Sequence, residues 1–299
     1  MAANDQLSSA LARFSEKSRQ RILQVVSAPD FSGQLPAAQV KAVCEAEQLT
    51  ADEVMLALLP LARTYSRPPI SNYQVGTVVR GAEGDCYLGA NLEIPGQPLG
   101  FSVHGEQSAL SNAYMHGERG VLAIAVTAAP CGHCRQFMNE LAPEIQILVQ
   151  GKPAASLSTL LPGAFGPKDL GVTDLPFPVR DINLQLDNAG LDELSRAALE
   201  AARKSYAPYT KAYSGLAIRV QSGRIFKGAY IENAAYNPSL PPLQAALSAL
   251  VLAGGDFSEI AAVVLVEKTG APISQKSVAE AALGAIAPKV KMQTGTARS

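Results

Sequence analysis

The sequence predicts a mixed α/β protein of three-layer α/β/α type, a sheet covered by helices, built as two copies of one domain behind a short helical lead-in. Three observations carry this expectation. Apolar spacing changes from helical near the N-terminus to alternating after Asn72, and then to helix and strand segments in turn. The pattern returns 139 positions later. Composition supports a large core: 47 % of the 299 residues are hydrophobic and 17 % charged, against roughly 25 % charged in an ordinary soluble domain.

The lead-in reads as helices because Leu7, Leu11, Phe14, Ile22, Val25 and Val26 recur at helical spacing with polar residues between. Pro29 and Gly33 interrupt, and PAAQVKAVCEAEQ resumes the pattern. Thr50 with Glu53 three positions on has the form of a capping box opening a helix to about Thr64. YQVGTVVRG, the turn GAEGD and CYLGANLE read as a β-hairpin. A helix from His104 to Met115, a strand over Val121–Thr127, a helix from about Cys131 and a strand over Ile145–Val149 follow. Under the 139-residue shift Pro69, Gly76, Gly84, Gly89, Ala90 and Glu93 fall on Pro208, Gly215, Gly223, Gly228, Ala229 and Glu232 without a gap. Glycines repeated at one hairpin turn and at matching strand positions demand the same backbone, so the chain reads as a duplication. The expected organisation is a helical segment over 1–49, a first domain over 50–156, a Pro/Gly-rich linker over 157–188 and a second domain over 189–299.

Charge excludes one class of function. Lys and Arg number 25 against 26 Asp and Glu, for a formal net charge of -1, with no basic run longer than two. Nucleic-acid binding through bulk charge is therefore not expected. No stretch approaches the roughly 18 apolar residues of a membrane span, and the N-terminus lacks the basic start and apolar run of a signal peptide. A cytoplasmic protein without membrane contact is expected.

Four cysteines and three histidines limit any metal chemistry to a short list. His104-Gly105-Glu106 is followed, 24 residues beyond Glu106, by Pro130-Cys131-Gly132-His133-Cys134. His-x-Glu followed by Pro-Cys-x-x-Cys is the signature of zinc-dependent deaminases. A catalytic zinc takes three protein ligands and leaves a fourth position for water, and His104, Cys131 and Cys134 make three. Two thiols in the first turn of a helix face its N–H groups and positive dipole end, which favours thiolates. Glu106, two residues from His104, stands where a proton shuttle belongs. The alternative is a structural zinc closed by a fourth protein ligand, for which Cys86 and His133 are the candidates. His133, between the cysteines on a helical turn, is expected to diverge from them, Cys86 reads as a small core residue, and His116 as an imidazolium suited to a helix C-terminus.

With ISNYQVG, GANLE, HGEQSAL, TAAPCGHCRQFMNEL and LPGAFGPKDL, the stretch from Ile70 to Leu170 resembles the larger, homodimeric cytidine deaminases of bacteria. GRIFKGAYIENAAYNPSLPPLQAAL is similar to the C-terminal domain of that family, so the resemblance covers essentially the whole chain. It implies a duplicated cytidine-deaminase-like fold and zinc held by His104, Cys131 and Cys134, with Glu106 as proton donor and acceptor. It also implies that Asn91 and Glu93 bind the ribose hydroxyls, that Tyr73 stacks on the pyrimidine, and that Phe165 crosses to the neighbouring site of a homodimer. The implied reaction, a step of pyrimidine salvage, adds zinc-activated hydroxide to C4 of cytidine or deoxycytidine and releases ammonia. A deaminase of a nucleotide or nucleic acid is the alternative from the same chemistry. Gly105 departs from the family's usual alanine; glycine costs up to about 1 kcal/mol against alanine in a helix, so slightly looser geometry is expected there.

In the second copy the positions opposite His104 and Glu106 fall among Pro242, Leu243, Gln244 and Ala245, and the counterpart of PCGHC is APISQK. None of these residues supplies a zinc ligand, so one zinc per chain is expected, with the second copy helping to build the dimer.

Overall fold

The computed structural model describes residues 2–187 and 192–299. The lead-in holds α1 (Ala2–Ala10), α2 (Glu16–Val26), the short strand β1 (Gln34–Leu35) and α3 (Ala37–Glu47). Leu11, Phe14, Ile22 and Val26 are buried, as their spacing predicts. The strand β1 is not legible in the sequence. Gly33, at φ +83°, turns the chain so that its carbonyl accepts Leu88 N at 2.8 Å and Asn112 Nδ2 at 3.0 Å, and two residues are too few to display a period.

The capping box forms: Glu53 N donates to Thr50 Oγ1 at 3.3 Å and Thr50 N to Glu53 Oε2 at 2.8 Å, opening α4 (Ala51–Arg63). After it come β2 (Gly76–Gly81), β3 (Cys86–Ala90), α5 (Gly105–Met115), β4 (Val121–Val126), α6 (Gly132–Leu141), β5 (Gln146–Val149), β6 (Ala155–Ser156) and α7 (Leu157–Leu160). The second half carries β7 (Gln185–Leu186), α8 (Glu193–Arg203), β8 (Ser214–Val220), β9 (Ile225–Ala229), α9 (Pro242–Leu252), β10 (Ile260–Lys268), α10 (Lys276–Ile286) and β11 (Met292–Arg298).

One sheet runs β1-β3-β2-β4-β5-β6 and the other β7-β11-β10-β8-β9. The two hairpins have the same register, Gly76 opposite Ala90 and Gly215 opposite Ala229. Each continues through an antiparallel neighbour, β4 or β10, into a parallel pair with β5 or β11. The duplication read from the glycines is therefore a duplication of the sheet.

Close approach explains why those glycines repeat. A methyl group on Gly89 would lie 2.3 Å from Ala109 N of α5, and one on Gly228 2.4 Å from Ala246 N of α9. Gly76 meets the backbone of α4 on the opposite face, and Gly215 that of α8. Helices thus press on both faces of each sheet, giving the expected three layers. Gly89→Ala or Gly228→Ala is expected to cost about 3 kcal/mol or more, the upper end for overpacking because backbone cannot rotate aside; urea unfolding of each variant measures it.

The two copies share one core. Helices α5 and α9 pack against each other, with Ser108 Oγ and Ser248 Oγ 2.6 Å apart and buried. A single apolar cluster runs from Leu11 to Ala287, and a second one lies under α8. The stretch expected to be a linker is more structured than its composition suggests. Leu184 is fully buried and β7 pairs with β11, so residues placed in the linker form an edge of the second sheet. The expected boundary at 188/189 lies outside the described residues.

Candidate metal centre and its cleft

His104 is the N-cap of α5 and Cys131 the N-cap of α6, so two helix starts converge at the ends of β3 and β4. Cys134 follows in the first turn of α6. The His104 ring nitrogen Nδ1 lies 3.5 Å from Cys131 Sγ and 3.3 Å from Cys134 Sγ, and the sulfurs are 3.6 Å apart. A tetrahedral zinc with ordinary Zn–S and Zn–N bonds sets ligand separations of about 3.5–3.8 Å. The donor set therefore fits zinc in spacing and in chemistry. Among the described residues it is the one group of three or more such side chains close enough to hold a metal.

Hydrogen bonds from Cys134 and His104 pull the Cys131 thiol down to about 3, while the Cys134 thiol is held up by its bond to Cys131 and by burial. The bond to Cys131 also raises His104. Holding a divalent ion here requires both sulfurs as thiolates, so binding releases protons. Glu106 is 4 % exposed, and burial raises its pKa, as suits a carboxyl that must both take and give a proton.

Neither candidate fourth ligand joins the group. Cys86 is fully buried on β3, and burial pushes its thiol up to about 12. His133 stays outside the donor cluster, although its ring centroid lies 5.1 Å from that of His104. Three protein donors, with a cleft beside them, describe an open site. The imidazolium expected at His116 is also corrected. Desolvation lowers its pKa toward the neutral ring, whose Nδ1 contacts the Asn112 carbonyl at 2.8 Å and whose Nε2 contacts Ser32 Oγ at 2.9 Å.

The cleft has a volume of about 410 Å³ and is lined by His104, Glu106 and Cys131 together with Tyr73, Asn91 and Glu93. Asn91 Oδ1 accepts Val75 N at 2.8 Å and Ser66 Oγ at 2.5 Å, and its Nδ2 donates to the Tyr73 carbonyl at 2.8 Å. Glu93 accepts Ile70 N at 2.7 Å, Ser71 N at 2.9 Å and Ser71 Oγ at 2.5 Å. Desolvation opposes the charged form of Glu93, but these donors hold its carboxyl below the ordinary range. A carboxylate offers about four acceptor sites, so Glu93 keeps one for a ligand.

The second copy repeats this arrangement where, among the described residues, no metal set exists. Glu232 accepts Tyr209 N at 2.8 Å, Thr210 N at 3.2 Å and Thr210 Oγ1 at 2.6 Å. Three of the four sites on Glu93 therefore belong to the fold of the hairpin domain. Tyr73 stands 60 % exposed at the mouth of the cleft. Phe165 does not line it. The Phe165 carbonyl is bound by Gln136 and Asn139 of α6 while the residue remains 49 % exposed.

Sequence reasoning missed the wall behind Glu106. A methyl group on Gly105 would lie 2.6 Å from Thr77 Oγ1 and 3.0 Å from Val75 Cγ1. The glycine is thus tightly enclosed, not loose, because Thr77 fills the space an alanine would take. Thr77 Oγ1 is buried and has no hydrogen-bond partner among the described residues. Gly105→Ala is expected to cost about 1–3 kcal/mol, most of it recovered when Thr77→Ala is added. A double-mutant cycle by thermal unfolding reads this coupling.

Packing also sharpens the comparison between copies. Gly89 meets Ala109 as Gly228 meets Ala246, which sets Pro241 opposite His104 and Leu243 opposite Glu106. The expected window began one residue late, but its conclusion stands. At the N-terminus of α10, Gln275 and Val278 occupy the positions of the two cysteines.

Two family models, both described as "Cytidine and deoxycytidylate deaminase zinc-binding region", match the chain, one over residues 49–149 and the other over residues 157–280. The chain is 47 % identical over 258 residues to a cytidine deaminase of Pectobacterium carotovorum subsp. carotovorum, covering 86 % of each sequence. It is 45 % identical over 283 residues to a cytidine deaminase of Vibrio parahaemolyticus, covering 94 % of this chain and 95 % of that one. Among solved structures, the cytidine deaminase of Burkholderia pseudomallei is 32 % identical with a TM-score of 0.35, covering 38 % of this chain and 98 % of that one.

Proposed function

Because the chain belongs to the cytidine and deoxycytidylate deaminase family, we propose that it hydrolyses cytidine and 2′-deoxycytidine to uridine and 2′-deoxyuridine with release of ammonia. The observation that carries this reading is the convergence of His104, Cys131 and Cys134 beside the buried Glu106 at one cleft. These three residues would hold the zinc. When bound, zinc supplies acidity, since water polarised by it ionises near neutral pH.

The rest of the work falls to the chain's own residues. Glu106 takes a proton from water and delivers it to N3 of the ring as the oxygen adds to C4. It then takes the remaining proton from that oxygen and passes it to the departing amino nitrogen as the C4–N bond breaks. Water and the nucleoside supply every atom of uridine and ammonia. Burial of Glu106 limits the bulk water that can reach the reacting centre. Asn91 retains one amide N–H and Glu93 one acceptor site for the sugar hydroxyls. The carboxylate of Glu93 also disfavours a phosphate nearby, so nucleosides are preferred to nucleotides. Among the described residues no helix is long and apolar enough to cross a membrane.

The exposed aromatic Phe165 and the exposed lip residues Tyr73 and Leu99 support assembly as a homodimer in which Phe165 reaches the neighbouring cleft. Free cysteines suit the reducing cytoplasm. The test is loss of ultraviolet absorbance from cytidine, deoxycytidine, cytidylate and a short single-stranded DNA, each with and without chelator. Turnover of the two nucleosides alone, abolished by chelator, is the expected result, and turnover confined to the nucleotide or DNA overturns it. Elemental analysis is expected to return one zinc per chain; two per chain would mean that the second copy also binds metal.

A further inference from the structure

One loop of the catalytically silent copy touches both halves of the metal centre from behind. Gln107, 2 % exposed on α5, accepts the backbone N–H of His104 at 3.3 Å and donates its amide to the Pro238 carbonyl at 3.1 Å. Five residues earlier in the same loop, Asn233, fully buried, donates Nδ2 to the Gln136 carbonyl of α6 at 3.0 Å. Next to it, Ala234 N donates to Glu140 Oε2 at 2.8 Å.

Glu140 is the unusual member of this set. It is a carboxyl with no exposed surface, on the helix that carries both cysteines, and no ion pair to it occurs among the described residues. A buried carboxyl is retained against its desolvation cost only where donors satisfy it. All its side-chain partners come from the second copy: Tyr206 Oη at 2.9 Å, Tyr209 Oη at 2.5 Å and Ala234 N. Tyr209 stands at the position of Ile70, on the segment that Glu232 gathers as Glu93 does in the first copy. The catalytic reaction uses none of these groups.

We infer that the Asn233–Pro238 loop, with Tyr206 and Tyr209, is a brace that sets the spacing of α5 and α6, and that Glu140 is the positioning residue through which it holds the cysteine-bearing helix. Glu140 lies six residues from Cys134, about 9 Å along a rigid helix, so a shift at one end moves the other. Gln107 performs the same service for His104 through a single amide. The second copy, having no metal set of its own, therefore contributes to metal retention in the first. This inference rests on the deaminase reading for the identity of the metal, but not on turnover.

The test uses the full-length zinc-loaded protein. Glu140→Gln keeps the shape but turns one of the two acceptor oxygens that take Tyr206, Tyr209 and Ala234 N into an amide donor. Tyr209→Phe removes one donor and leaves the others, so it keeps the fold if the first variant does not. Val264→Ala, in the apolar cluster under α8, is a control for general destabilisation. The rate of zinc transfer to a colorimetric chelator is read without substrate. Groups bonded directly to metal ligands are typically worth 10–100-fold in affinity or activity. Glu140 acts on the cysteines through α6, so the lower end, about tenfold faster release, is expected for Glu140→Gln and a smaller acceleration for Tyr209→Phe. In both, kcat falls while KM stays within about twofold, and Val264→Ala releases zinc at the parent rate. Parent-like release in both variants, or equal acceleration in Val264→Ala, overturns the brace. A parent protein that binds zinc but leaves cytidine unchanged overturns the functional reading instead, and the brace is then judged on release alone.

Discussion

Replacing Glu106 by glutamine is expected to leave one zinc per chain while lowering kcat for cytidine about 10⁴-fold. The amide keeps the volume of the buried carboxyl, so the first turn of α5 and the His104 ring should stay in place. It cannot carry a proton at neutral pH. General acid–base groups contribute about 10²–10⁴-fold to a rate, and the upper end applies because one carboxyl serves both the attack and the departure of ammonia. The KM should change little, since Glu106 faces the reacting end of the cleft and the sugar is held elsewhere. Parallel metal analysis and the ultraviolet assay decide the matter. Unchanged turnover would remove Glu106 from the mechanism, and loss of zinc together with activity would recast it as a ligand or a structural support.

Ending the chain after Asp187 is expected to yield insoluble or unfolded protein, not an active half. Every residue from Gly105 to Tyr114 is buried, α9 packs against this helix, and Leu243, Leu247 and Leu250 of α9 lie in the same apolar cluster as Leu110 of α5. Uncovering a large apolar side chain costs roughly 1.5–3 kcal/mol. Four or five such losses match the whole stability of a typical domain, about 5–15 kcal/mol. Polar losses add to these, because Gln107, Ser108 and Glu140 would each lose partners in the second copy. Solubility, circular dichroism and turnover of residues 1–187 measure the outcome. A soluble, monomeric and fully active fragment would show that the second copy is dispensable.

The legible part of the site was the part encoded at short range. His104 and Glu106 are two residues apart and Cys131 and Cys134 three, so helix geometry alone brings each pair together. The glycines at 76, 84, 89 and their partners were legible because a backbone constraint leaves a residue type behind, although its physical cause, contact with α4, α5, α8 and α9, was not. Thr77 was invisible, since a threonine in a strand is ordinary until the glycine beside it is seen to make room for it. Glu140 was equally hidden: one glutamate on a helix that includes polar residues gives no sign of being buried beneath another domain. The short strands β1 and β7 left no pattern because two residues cannot show a period.

The sequence by itself determined the fold class, the duplication, the metal-binding set and the loss of that set from the second copy. These follow from periodicity, from glycines with few substitutes and from ligand chemistry that admits few residue types. Only the tertiary structure decided that Gly105 is enclosed by Thr77, that three of the four acceptor sites on Glu93 serve the fold, and that the second copy grips both helices of the metal centre. The reason is that these relations join residues distant along the chain, and their energies arise from burial and mutual contact, for which no single residue type is diagnostic.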